Sequence, residues 1–267
     1  MNTVPDVENP PADIPGKWFP KAFLLQNQKK IATKEEVIDG AFVIRELISH
    51  RDCDRLIQQM YESGKEAPVG VHGYTGANSE IGSVRATGWS VELAHELWKC
   101  FSIFFPGIRY MDEDTSTDWY ALHERKEYRY WQAVAVSPLL RFMRYEAGGE
   151  HYGHYDMGYD YRDGRRTLVS FVIYLSSVRE EDGGKTRFLN DGQIHLPVRG
   201  RIHDDWQRPA REQEILAAVR PEKGSVLFFD HRMCHDVERY IGSNPRIIIR
   251  GDIVYWAQEE KNGSMEN

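Results

Sequence analysis

Only three cysteines (Cys53, Cys100 and Cys234) occur in 267 residues, too few and too scattered for a disulfide framework or a zinc knuckle. Long hydrophobic runs are missing as well: no stretch approaches the ~20 apolar residues that span a bilayer. Nor is there an excess of positive charge. Lys plus Arg number 34 against 41 for Asp plus Glu, a formal net charge of −7. With no basic stripe visible, this balance argues against a nucleic-acid partner. The N-terminal MNTVPDVENPPADIPG has neither the basic nor the apolar region of a secretory signal. Together these absences predict a soluble, cytoplasmic protein in a reducing compartment, without membrane or nucleic-acid partners.

What is present is an ordinary globular mixture, 41% hydrophobic and 28% charged, enough to bury a sizeable core. Residues 1–16 hold four of the twelve prolines and are expected to be a flexible arm, with a second flexible segment at 258–267. Residues 17–257 are expected to form one domain. AFVIRELI (41–48) reads as a strand, followed by a helix with Ser49 as N-cap, Leu56, Ile57 and Met60 on one face, and Gly64 as its stop. Ser90 opens a second helix, in which Leu93, Leu97 and Phe101 recur at helical spacing. Between the helices, VGVHGYTGANSEIGSVRATG (69–88) reads as a mobile surface loop.

From residue 139 the pattern changes. LLRFMRYE, TLVSFVIYLSS, KTRFL, EILAAVRP, GSVLFFD and PRIIIRGDIVYW are β-branched or aromatic runs separated by turn residues. The fold expected is mainly β with flanking helices packed on one sheet of a sandwich or barrel.

The informative residues lie in three stretches. RYEAGGEHYGHYDMGYD (144–160) contains His154 and Asp156, two apart and so on one face of an extended strand. DHRMCHDVERY (230–240) offers His231 and His235. The apolar strand PRIIIRGDIVYW carries Arg246 and Arg250, four apart and again on one face. Two histidines and a carboxylate are the ligand set of non-haem Fe(II) oxygenases, because three protein ligands leave adjacent positions open for co-substrate and oxygen. A four-ligand structural site leaves none. An arginine in an apolar strand needs an anionic partner, which a dicarboxylate supplies through a bidentate pair.

Together these stretches resemble the 2-oxoglutarate/Fe(II)-dependent dioxygenases, prolyl 4-hydroxylase-like group. The RYxxGxxYxxHxD run of that group is matched by Arg144, Tyr145, Gly148, His154 and Asp156, with Tyr152 one place later than the pattern's tyrosine. Tyr174-Leu175-Ser176 matches its YLx strand end, and Gly183, Gly184, Thr186 and Phe188 match its GGxTxF turn and strand. Pro221, Gly224 and SVLFF precede the distal histidine, and Arg246 follows His235 by eleven places. The resemblance covers about residues 139–256. It implies a double-stranded β-helix (jelly roll, cupin-like), with Fe(II), 2-oxoglutarate and O2 as cofactors and ascorbate as a further candidate. By the same resemblance His154, Asp156 and His235 are the metal ligands and catalytic residues. Arg246 pairs with the distal carboxylate of 2-oxoglutarate, and Tyr145 and Tyr174 contact the same molecule. The reaction implied oxidises an unactivated C–H bond and releases succinate and CO2. Halogenases of this kind have a small residue in place of the carboxylate, so Asp156 favours hydroxylation.

Several alternatives stay open at this point. His231 competes with His235, and the position of Arg246 favours His235. Arg250 competes with Arg246 for the co-substrate, or faces the substrate or a partner such as Asp252. His151, Tyr152, Arg85 and Arg166 are candidates for substrate contact, with Arg165 as a further possible clamp. Tyr155, Tyr159 and Tyr161 form either a substrate wall or ordinary loop packing. A second candidate loop is the arginine-bearing insertion at 190–214. The leading expectation is hydroxylation of a small molecule such as an amino acid or a biosynthetic intermediate. The rivals are a peptide or prolyl-type hydroxylase and a non-catalytic metal-binding β-barrel.

Overall fold

A computed structural model describes residues 25, 32–64, 67–68, 80–110, 130–156, 158–161, 163–193 and 208–258. The expected arm at 1–16, nearly all of the 258–267 segment, residues 69–79 of the first loop and 194–207 of the insertion lie outside the described residues.

The elements run β1 (Thr33–Ile38), β2 (Ala41–Arg45), α1 (His50–Ser63), β3 (Ala67–Pro68), β4 (Glu80–Trp89), α2 (Val91–Phe101) and β5 (Ile108–Tyr110). Then come β6 (Tyr130–Val136), β7 (Leu139–His154), β8 (Arg165–Tyr174), β9 (Thr186–Leu189), β10 (Ile215–Val219), β11 (Val226–Asp230), β12 (His235–Val237) and β13 (Arg246–Gln258). Every strand pairing is antiparallel, and the main path runs β1-β2-β11-β8-β13-β7-β12-β9-β10. This is the double-stranded β-helix the sequence implied. β7 is the hinge of the design: Arg141–Tyr145 pair with β13 in the large sheet, whereas His151 and His154 pair with β12 in the small one.

Strict alternation sorts the large sheet into two faces. Phe142, Phe171, Ile173, Val226, Phe228, Ile247 and Ile249 point one way, into a core closed by the helices. Met143, Tyr145, Val172, Tyr174, Leu227, Phe229 and Ile248 point the other way, toward the small sheet. Because both faces are covered, strands such as SVLFF and RIII carry apolar residues without interruption.

The helices are bounded as their sequences predict. Ser49 caps α1 by accepting from the Asp52 N–H at 3.1 Å, and Gly64 ends it in the left-handed region at φ 58°. Ser90 accepts from the Leu93 N–H at 3.2 Å to open α2. Leu56 and Met60 of α1 and Leu93, Leu97 and Phe101 of α2 are buried against the large sheet, and Ile57 is partly buried there. The Phe101 ring meets Phe171 and Phe228 edge-on, with centroids 5.2 and 5.0 Å apart, adding ~0.5–1.5 kcal/mol per pair beyond area burial.

One expectation is corrected. Residues 80–88 of the presumed loop are most of β4, paired with β7 from Glu80↔His151 to Trp89↔Leu139. The glycine that suggested a loop marks a bulge. Gly82 (φ 64°) lies so close to Gly149 that a Cβ would sit 3.0 Å from its Cα, and the register shifts between Ile81 and Ser83. Arg85 is therefore held on a strand. Among the described residues no helix is long and apolar enough to cross a membrane.

Candidate active site

Where β7 passes into the small sheet, its last residue, His154, stands directly across from His235, the first residue of β12. Their rings lie 4.2 Å apart, centroid to centroid. His154 Nδ1 lies 2.7 Å from the Tyr152 carbonyl and His235 Nδ1 lies 3.0 Å from the Met233 carbonyl. A carbonyl only accepts, so each Nδ1 carries the proton and each Nε2 presents a lone pair. Asp156 follows two residues beyond His154, and its Oδ2 is 3.7 Å from His235 Nε2. One donor atom from each of the three residues lies within 4.8 Å of the others. Two neutral imidazoles and one carboxylate, all on one side, fit a divalent iron with open positions. His231 does not join them: it is buried, with Nε2 3.1 Å from Asp252 Oδ1.

The charges around this trio are ordered. Arg250 donates from Nε to Asp156 Oδ2 at 3.0 Å and pairs through Nη2 with Oδ1 at 3.0 Å, and Ser170 Oγ donates to Oδ2 at 2.6 Å. Burial opposes ionisation of Asp156. Arg250, His235, His154 and the Ser170 hydrogen bond outweigh it, so the carboxyl sits well below its usual range. Burial lowers the His235 pKa, with Asp156 opposing, so the imidazole is neutral at physiological pH. A second carboxylate, Asp252, accepts from Arg250 at 3.1 Å and lies 3.5 Å from Arg141. Burial pushes its pKa up, but Arg250 and His231 pull it down to about 2.

A cavity of about 200 Å³ opens beside the trio. One end holds Arg246, which is fully buried. Arg246 donates from Nε to the Gly184 carbonyl at 2.8 Å and from Nη2 to Thr186 Oγ1 at 3.3 Å, and lies 4.9 Å over the Tyr145 ring. A guanidinium buried at the end of a cavity suits an anionic ligand. Arg250 and Arg141, paired across β13 and β7, line the cavity farther along, and Arg85 lines it from β4, across from Met143. His151 also lines the cavity, stacked on His154 with centroids 3.6 Å apart. Burial, then His154 and His235, press its pKa well down. Met143, Val172, Phe229 and Ile248 complete the wall with apolar surface.

The other sequence candidates stand elsewhere. Tyr174 is behind the wall, its hydroxyl 2.9 Å from Thr186 Oγ1, so Thr186 and not Tyr174 meets the cavity. Tyr152 does not line the cavity and serves it through its backbone oxygen. Arg166 is 5.6 Å over the Trp131 ring, and Arg165 is buried in a pair with Asp163 at 2.5 Å. Neither lines the cavity. Tyr155 donates to Asp191 at 2.5 Å, and Tyr159 packs edge-on to Tyr161, so neither forms its wall. Neither Arg141 nor Thr186 stood out in the sequence as a cavity residue, Thr186 being matched only as part of the GGxTxF turn and strand. The signal for Arg141 was its even spacing from Tyr145 along one strand.

Residues 140–254 match the family model of the 2OG-Fe(II) oxygenase superfamily. No curated protein matches the sequence. Among solved structures, the viral collagen prolyl hydroxylase of Paramecium Bursaria Chlorella virus-1, in complex with 2OG, is similar at 17% identity and TM-score 0.44, covering 82% of this chain and 97% of its own. A Trichoplax adhaerens prolyl hydroxylase in complex with a hypoxia-inducible-factor peptide is similar at 15% identity and TM-score 0.48, over 82% and 84%. HygX of Streptomyces hygroscopicus, with nickel, 2-oxoglutarate and hygromycin B bound, is similar at 12% and 0.42, over 82% and 83%. At these scores the likenesses add nothing to the family match. That match runs over the strands that bring the histidines, the carboxylate and Arg246 to one cavity, so the part of the chain similar to the 2OG-Fe(II) oxygenase superfamily is the part that carries the donor set.

Proposed function

We propose that this protein is an oxygenase that hydroxylates an unactivated C–H bond of a small molecule. The observation that carries the reading is one cavity of about 200 Å³ with a His-Asp-His donor set on its wall and a buried arginine at one end. In this reading His154, Asp156 and His235 hold the iron. Arg246 receives the distal carboxylate of 2-oxoglutarate, with Thr186 beside it, and Tyr145 gives the guanidinium a π face on which to rest.

When bound, iron and co-substrate together supply the oxidative decarboxylation of 2-oxoglutarate to succinate and CO2, with one oxygen atom delivered to the substrate. The protein supplies order. Hydrogen bonds donated by Nδ1 to backbone carbonyls aim both imidazoles, as outer-shell partners do at metal sites. Arg250 and Ser170 keep Asp156 ionised and oriented. The Phe229 ring packs 4.5 Å from His235 and, with Ile248 and Val172, keeps bulk water off the cavity wall.

A small substrate suits a compact cavity with several arginines on its wall. The test is succinate release by the Fe(II)-loaded protein with 2-oxoglutarate, against free amino acids and biosynthetic acids on one side and proline-rich peptides on the other. Product mass is read for one added oxygen. Turnover with small molecules supports the reading. Turnover with peptides alone replaces it by a peptide hydroxylase.

A further inference from the structure

Asp252 and His231 do not line the cavity, yet both are buried and joined through Arg250 to the carboxylate on its wall. Register sets Asp252 of β13 across from Ser170 of β8 and on the same face as Arg250, two residues earlier. Arg250 Nη2 lies 3.0 Å from Asp156 Oδ1 and 3.1 Å from Asp252 Oδ1, so one corner of the guanidinium serves both carboxylates. Ser170 joins the same group. Its hydroxyl accepts from Arg250 Nη2 at 3.3 Å, donates to Asp156 Oδ2 at 2.6 Å and lies 3.4 Å from Asp252 Oδ1. Asp252 is fixed in turn by His231, whose Nε2 lies 3.1 Å from Oδ1, while Arg141 stands 3.5 Å from Oδ2. An ionised carboxylate only accepts, so His231 carries its proton on Nε2. His231 Nδ1 is buried and finds no hydrogen-bond partner among the described residues. A Cβ on Gly158, two residues beyond Asp156, would sit 3.3 Å from it. Burying an unpaired nitrogen is unfavourable, and an apolar ring would fill the same space without that penalty. What the imidazole adds is the Nε2–H that Asp252 accepts.

We propose that Asp252 and His231 are positioning residues for the metal site: His231 fixes Asp252, and Asp252 draws the Arg250 guanidinium partly away from Asp156. The inference rests on the reading of His154, Asp156 and His235 as metal ligands and extends it by two residues. A guanidinium given wholly to Asp156 would contest its oxygens with a divalent cation. One shared with a second carboxylate still braces Asp156 at both oxygens and leaves more of its charge to the metal. Partners behind the ligands orient them and set metal affinity. His231, which the sequence offers as a ligand, thus acts on the metal through Asp252, Arg250 and Asp156.

The test is anaerobic titration of the metal-free protein with Fe(II) at saturating 2-oxoglutarate, read by the visible chelate band. The thermal midpoint of each variant is measured beside it. His231→Phe removes one hydrogen bond and no charge, and is expected to weaken Fe(II) binding about tenfold. Asp252→Asn is expected to weaken it more, roughly 10–100-fold. His231→Gln, whose amide can donate to Asp252 from the place of Nε2, recovers most of the affinity. Equal losses in His231→Phe and His231→Gln overturn the role given to the Nε2–H. A merely structural role lowers thermal midpoints and leaves Fe(II) affinity unchanged in the folded protein, and that result overturns the inference. Wild-type affinity in folded Asp252→Asn overturns it as well, including where His231→Phe does not fold. A wild type that binds no Fe(II) removes the metal reading itself and this inference with it, a separate failure seen before any variant is compared.

Discussion

The two faces of the large sheet are made by the same strands and differ by one residue in register. On the outer face Phe142, Phe171, Phe228 and Ile249 meet the helices in an apolar core. On the inner face, alternate positions of the same β7 and β13 carry Arg141, Tyr145, Arg246 and Arg250. The outer face is where the fold gains its stability, since burying each Phe or Ile contributes ~1.5–3 kcal/mol. The inner face spends stability on buried ions, held only because carboxylates, imidazoles and a cavity meet them. Alternation lets one strand do both, and it makes the faces separable by mutation.

The largest separation is expected from the inner face. Asp156→Ala should cut succinate release more than ten-thousandfold, over ~5 kcal/mol of transition-state free energy. The thermal midpoint should stay near wild type, because Arg250 keeps Asp252. Calorimetry beside the turnover assay checks both halves, and retained turnover would break the assignment of this carboxylate. Phe228→Ala should do the reverse. Its ring touches Phe42, Phe101 and Phe105 at centroid distances of 5.0–5.2 Å. Its loss should cost about 3–5 kcal/mol in denaturant unfolding, with metal and co-substrate binding preserved in the folded fraction.

Asp252 gives an acid limb. Its carboxyl, ordinarily near 3.8, is held at about 2 in the folded protein. The stability it adds is fully present above pH ~4 and is lost as pH falls through 2, amounting to on the order of 2 kcal/mol. The stability gap between wild type and Asp252→Asn, followed by thermal unfolding, should therefore close between pH 4 and 2. A gap unchanged across that window would mean that the ion network contributes nothing. Smallest in energy is Arg246→Ala, expected to raise the 2-oxoglutarate requirement at least tenfold, about 1.4 kcal/mol. An unchanged requirement would move the role to Arg250.

Much of this division was legible in the sequence. The runs TLVSFVIY and RIIIRGDIVYW read as strands, and Ser49, Gly64 and Ser90 bound their helices by local chemistry alone. The His154–Asp156 spacing survives because a two-residue step keeps one face. His235 was preferred to His231 by its distance from Arg246 and by the family resemblance, and the pairing of β12 with β7 supplies the physical reason, which no local pattern encodes. β4 was hidden because the alternation of Ser83, Arg85 and Thr87 with Val84 and Ala86 is short and only weakly apolar, and because Gly82 reads the same at a bulge as in a loop. Arginines were hardest. Arg141, Arg85 and Arg166 look alike in sequence, and only strand partners decide that two face the cavity while the third covers Trp131.

The central claim is that one cavity holds iron on its wall and 2-oxoglutarate against Arg246. Anaerobic titration of the protein with Fe(II) and then 2-oxoglutarate, watching for the visible charge-transfer band of the chelate, tests it most directly. The account predicts a band that needs both additions, disappears in His235→Ala and requires more 2-oxoglutarate in Arg246→Ala. A folded protein that gives no band, or one whose band survives in His235→Ala, would contradict it.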